Sequence, residues 1–214
     1  MNEIMQLLQS TFGPLVLIFT VSNLFAMGLQ VRMPDVMGAL KNTKAIALIF
    51  IWGWIAGPIV GYLIVWALPL AEPYVVVIYL CSLAPTAPFL QQMVGKAKGD
   101  MPFAGTLVPL VALGTVIFMP LLAPMMIEGV AISTWSLAKP LLLTILLPLI
   151  IGAAIRHYYD TKSTKYFPAV KLIAQLSTLL TIIWCLVLYG SSMINTAGSF
   201  ALLSMTIFMI GMAV

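Results

Sequence analysis

Residues 79–100 read YLCSLAPTAPFLQQMVGKAKGD, and the two prolines inside this stretch constrain the chain more than any other feature. Pro85 and Pro88 each lack a backbone donor and clash with the preceding turn, so one straight helix through 84–87 is not expected. The surroundings are apolar. Of the whole chain 62% is hydrophobic and 7% charged, where a soluble domain carries about 25% charged residues. Mean hydropathy is +1.12. These values describe an all-α, polytopic integral membrane protein with little water-facing mass. Inside a bilayer, freed backbone groups persist only where protein or a wet cavity satisfies them. The break therefore implies a lined interior, the arrangement in which discontinuous helices bind substrates and ions near the midplane.

A spanning helix needs about 20 mostly apolar residues. On that criterion the expected spans cover 12–29, 45–68 with a kink at Pro58, and the interrupted 74–97. Then come 101–126, bent at Pro109 and Pro120, 138–155 with Pro148, a sixth ending near 189 and a seventh from 200. That makes about seven in a single membrane domain over 1–214, the third of them discontinuous. Residues 1–10 are too short and mixed to span and are expected at the interface; 156–171 is expected as the longest polar link. The links after the first, third and fifth spans hold Arg32, Lys41, Lys44, Lys96, Lys98, Arg156, Lys162, Lys165 and Lys171, leaving only Lys139 on the other side. Basic residues mark the cytoplasmic side, which puts the N-terminus outside and counts the broken span as one crossing. The expected location is the cell membrane, a bacterial inner membrane.

Clustering in links assigns these cations to topology and anionic lipid, so the expected partners are the bilayer and no nucleic acid. Cys81 and Cys185 lie in apolar runs and are expected unpaired. No basic n-region or cleavage site marks a signal peptide. The last run, 200–214, is shorter than a span and ends without a polar flank, the expectation being a fragment or a helix completed by a partner. No metal-ligand cluster, nucleophile–base pair or phosphate loop is present, so an enzyme is not expected. No acidic residue lies deep in a span, which counts against an autonomous proton- or sodium-coupled pump.

The candidate substrate-binding residues are Pro85, Thr86, Pro88, Gln91 and Gln92 at the break, with Asn23 and Thr115 as polar groups in other spans. Amides from about residue 89 to 91 would offer a partial positive charge to a carboxylate. Each candidate has a plainer role. The prolines would then be simple kinks, Asn23 a hydrogen bond to a neighbouring helix, and Thr115 a bond to its own helix backbone. Cys81, one turn before the break, would suit a soft ligand such as arsenite or serve as a small hydrophobe. Asp35 is read as a helix cap, and His157 beside Arg156 as an anchor at a cytoplasmic helix end.

FAMGLQVRMPD over 25–35, the interior proline of the second span, and SLAPTAPFLQQMVGKAKGD followed by a proline-containing span resemble the bile acid:sodium symporter family. The resemblance covers roughly residues 1–160 and continues more weakly to the end. It implies two inverted five-helix repeats whose broken helices cross beside sodium and substrate sites. Carried over, 12–126 would form first-repeat helices lacking the first, and 138–214 an incomplete second repeat without its broken helix. The family's Gly-Gly and Ser-Asn around the break read Thr86-Ala87 and Leu90-Gln91 here. Its serine and threonine ligands on the next helix read Ala104 and Val108, and a glutamine of the preceding span reads Gly53. The implied sodium site therefore retains only Gln91, with backbone carbonyls at 82–84 as further oxygen donors. Sodium is the one coupling ion implied, and no other cofactor is expected.

Three functions follow. The first is a carrier moving a small organic anion by alternating access, with sodium coupling in doubt. The second is a membrane subunit without autonomous transport, paired with a second copy or a missing C-terminal half. The third is an arsenite-permease-like efflux carrier using Cys81.

Overall fold

The computed structural model describes residues 2–85, 90–99, 101–127, 133–196 and 200–213, and every element among them is a helix. In chain order these are α1 (Asn2–Gly28), α2 (Met33–Lys41), α3 (Thr43–Ile51), a π-turn (Trp52–Ala56), α4 (Gly57–Ala67), α5 (Glu72–Ser82), α6 (Leu90–Lys96) and α7 (Met101–Met126). They are followed by α8 (Thr134–Leu141), a second π-turn (Leu142–Leu146), α9 (Leu147–Tyr158), α10 (Asp160–Asn195) and α11 (Phe200–Ala213). Five stretches are long and apolar enough to cross a membrane: Gln6–Gly28, Ile46–Ala67, Phe103–Met126, Thr134–Tyr158 and Ser163–Ser192. The expected third span is divided between α5 and α6, and the expected seventh, α11, is a shorter apolar helix.

Two of the segments expected outside the spans are helical. Residues 2–10 continue α1 without a break. Most of the polar stretch 156–171 forms the start of α10. The reason is tertiary: Ser163 is fully buried and its Oγ donates to the Leu29 carbonyl at 3.0 Å. A carbonyl just past a helix end lacks an intrahelical partner, so this bond ties the start of α10 to the end of α1.

The helices pack in two groups. In one, α1 lies against both α9 and α10; in the other, α4, α7 and α11 pack on α5, with α6 on α7. Leu24 and Met27 of α1, Val108 and Ala112 of α7 and Leu149 of α9 form a buried cluster where the groups meet. Within the first group the approach is at backbone distance. A Cβ on Gly28 would run into the Leu149 carbonyl and stand 2.9 Å from the Gly152 Cα, and one on Gly152 would stand 2.6 Å from the Phe25 carbonyl. Such close crossings are how membrane helices associate when lipid removes the hydrophobic drive between them.

Prolines act differently by position. Pro109, Pro120 and Pro124 lie inside an uninterrupted α7. Before Pro58 and Pro148 the ladder widens by one residue: Gly57 N–H donates to the Trp52 carbonyl and Leu147 N–H to that of Leu142. A proline ring clashes with the carbonyl four residues back, and the π-turn shifts that carbonyl aside. The kink expected at Pro58 takes this form.

The end of α6 carries a local cost. Gly99 N–H donates to Val94 O at 2.9 Å and Lys98 N–H to Gly95 O at 3.3 Å, the paired bonds of a helix cap whose left-handed residue is usually glycine. Here that residue is Lys98, at φ 55°. Lys98→Gly is expected to stabilise the protein by about 0.5–1 kcal/mol, read as a raised Tm in detergent; a lowered Tm would show that the cap does not form.

Candidate functional site

Helix α5 ends by tightening. Leu83 N–H reaches the Leu80 carbonyl as well as that of Tyr79, Ala84 N–H reaches Cys81, and Pro85 then has no donor to continue with. A residue before proline is driven out of helical geometry, so the helix stops. Ser82 is buried, and its Oγ donates to the Tyr79 carbonyl at 2.7 Å, closing the last turn.

This end rests on a stripe of glycines. Gly53, Gly57 and Gly61 recur every fourth residue along the second span. A Cβ on Gly57 would stand 2.8 Å from the Ser82 carbonyl, one on Gly61 3.0 Å from the Ser82 Cβ, and one on Gly53 3.2 Å from the Pro85 ring. The absence of three side chains is what lets the interrupted backbone lie directly on the neighbouring helix. Gly53 is the position where the family resemblance placed a glutamine, and it faces the break.

A cavity of about 660 Å³ opens beside the end of α5. Its walls come from α5 (Cys81, Ser82), the break (Ala84, Pro85), α7 (Met119) and α11, which contributes Phe208 and three more methionines, Met205, Met209 and Met212. Flexible thioethers line it with soft, adaptable surface. Of the sequence candidates, Pro85 lies in this wall. Gln91 and Gln92 lie in α6, where the description covers their helical backbone, and Thr86 and Pro88 lie outside the described residues.

Asn23 and Thr115 are not among the residues lining this cavity. Asn23 is buried, and its Nδ2 donates to the carbonyls of Phe19 at 2.8 Å and Ala174 at 3.4 Å, and to Thr178 Oγ1 at 3.1 Å. Beside it Ser22 and Ser177 Oγ lie 3.1 Å apart, completing a polar seam between α1 and α10. Thr115, also buried, donates to its own helix at Val111 O, 3.0 Å away. Ala104 and Val108, where the resemblance placed oxygen ligands, are buried, and Val108 packs in the apolar cluster with Leu24 and Leu149.

Sequence reasoning missed two features. The glycine stripe was visible as a spacing of four but went unread. Trp54 was not: its ring lies on Gly114 between Phe50 and Phe118, with centroids 5.2 and 5.3 Å away. Its indole N–H is buried with no hydrogen-bond partner among the described residues.

No curated protein matches the chain. A family model described as the sodium bile acid symporter family matches residues 14–196, which takes in most of the first span, the glycine stripe, both halves of the divided span and the whole of α10. On that match, this multi-pass helical chain belongs to the sodium bile acid symporter family.

Proposed function

We propose that the chain is a carrier that moves a small organic anion by alternating access, with its binding centre at the interruption between α5 and α6. Family membership supports the transporter class. The observation that carries the site is the cavity of about 660 Å³ walled by the end of α5, α7 and α11. Its apolar, sulphur-bearing lining suits the carbon skeleton of a substrate. The two helix groups meet at an apolar cluster, a contact without directional bonds across which one group can shift.

The coupling is read from what lines the neighbouring helix. Sodium needs several oxygen ligands in one cage, and Gly53, Ala104 and Val108 carry none on their side chains. Uptake of labelled carboxylates into vesicles holding the purified protein is therefore expected to be saturable and to change less than about twofold when the sodium gradient is collapsed, well short of the tenfold that 1.4 kcal/mol of coupling would give. Absence of uptake for every carboxylate tried would remove the carrier reading. Strong sodium dependence would remove the uncoupled one.

Cys81 in the cavity wall beside four methionines favours a second reading, efflux of a thiol-reactive metalloid. On that reading Cys81→Ser abolishes arsenite resistance in cells that depend on this protein. Unchanged resistance would end it.

A further inference from the structure

A second cavity, of about 580 Å³, lies at the other end of α5, between α4, the first turns of α5 and the end of α7. It is lined by Tyr62, Glu72, Tyr79, Met125 and Met126 together with aliphatic residues, and no lysine or arginine is among them. We propose that this cavity binds an ammonium group, carried by a small solute or by a lipid headgroup at that membrane surface.

The chemistry follows from the lining. Glu72 is exposed, and its carboxylate makes no hydrogen bond or ion pair among the described residues. It supplies a full negative charge to the cavity. Tyr62 and Tyr79 supply two phenol rings, whose faces attract cations, most strongly where water is excluded. Tyr79 is 7% exposed and forms part of the buried cluster with Leu83, Ala123 and Ile127, so its ring is held in place by packing. Carboxylate and aromatic rings around methionine and valine suit a cation wrapped in methyl groups. The Glu72 carboxylate opposes an anion there. The site lies outward of the break along α5, and it stands whether or not the break takes an organic anion.

The test uses the full chain in nanodiscs of phosphatidylglycerol, which carries no ammonium group, with labelled choline as probe. Choline is expected to bind saturably, and its uncharged isostere 3,3-dimethylbutan-1-ol at least tenfold more weakly. Glu72→Gln is expected to weaken choline binding about tenfold or more, and Tyr62→Ala about three- to tenfold, the range of a partly desolvated cation–π contact. Tyr62 is 59% exposed, so its variant tests the ring without disturbing the core if Glu72→Gln should fail to fold. Equal binding of the isostere, or choline binding untouched by Tyr62→Ala and Glu72→Gln, would overturn the proposal. Repeating the titration in phosphatidylcholine nanodiscs, whose headgroup carries the same trimethylammonium, separates the sources: competition identifies a lipid headgroup as occupant, and unchanged choline binding a free solute.

Discussion

Gly28→Ala is expected to destabilise the protein by about 2–3 kcal/mol, the upper range for forcing an extra methyl into a packed interior, while Gly190→Ala is expected to be neutral or stabilising. The same change has opposite sign because the two sites differ in what surrounds the new carbon. At Gly190 nothing lies within 4 Å of an added Cβ, and alanine is the better helix former by about 1 kcal/mol. At Gly28 the added carbon meets Leu149 O, Gly152 Cα and Ala153 N, all of them backbone atoms. No side-chain rotation relieves such a clash, so α1 and α9 must separate. Gly152→Ala should cost a similar amount, since its methyl meets the Phe25 carbonyl and the backbone of Gly28. Once the helices have moved apart for one methyl, the second finds space. The double variant is therefore expected to fall short of the sum by 0.5 kcal/mol or more, the coupling of residues in contact. Thermal or denaturant unfolding in detergent reads all four proteins. Strict additivity would show that the two glycines do not share one crossing.

Gly57→Ala is expected to reduce transport at least tenfold, a change of about 1.4 kcal/mol in the barrier or the binding step. Its methyl would stand 2.8 Å from the Ser82 carbonyl and 3.5 Å from the Met212 terminal methyl. Met212 can turn away; the carbonyl at the end of α5 cannot move without shifting the break that follows it. Gly61→Ala presses on the Ser82 side chain at 3.0 Å and should be milder. The measurement is the initial uptake rate per folded protein, with Tm taken in parallel to separate lost function from lost fold. If Gly57→Ala transported normally at unchanged Tm, the end of α5 would have no part in the binding centre.

Much of the fold was legible in the residues. Hydropathy placed five of the expected spans because the bilayer selects length and apolarity directly. Pro85 divided the third span because a missing N–H acts wherever the rest of the chain lies. The resemblance carried on the break and on 25–35 named the family that the match over 14–196 shows. What the residues left open has a common physical origin. The 156–171 stretch read as a polar link because hydropathy cannot see that Ser163 is buried against Leu29, 134 residues away. Asn23 stood as a candidate for substrate because composition says only that an amide lies at depth; its bond to the Ala174 carbonyl, 151 residues away, depends on how α10 is turned. Pro58 promised a kink, which takes the form of a π-turn that moves the facing carbonyl off the proline ring.

The sequence by itself therefore determined the membrane class, the approximate spans, the segregation of basic residues and the interruption that follows Ser82. All of these are set by the chemistry of one residue or a short run in contact with its solvent. Only the tertiary structure decided that the break rests on Gly53, Gly57 and Gly61, that α7 and α11 wall its cavity, and that α1 and α9 touch through Gly28 and Gly152. Those contacts depend on the rotation and crossing of helices far apart in the chain. In lipid that geometry is chosen by shape at close range, which no local run of residues encodes.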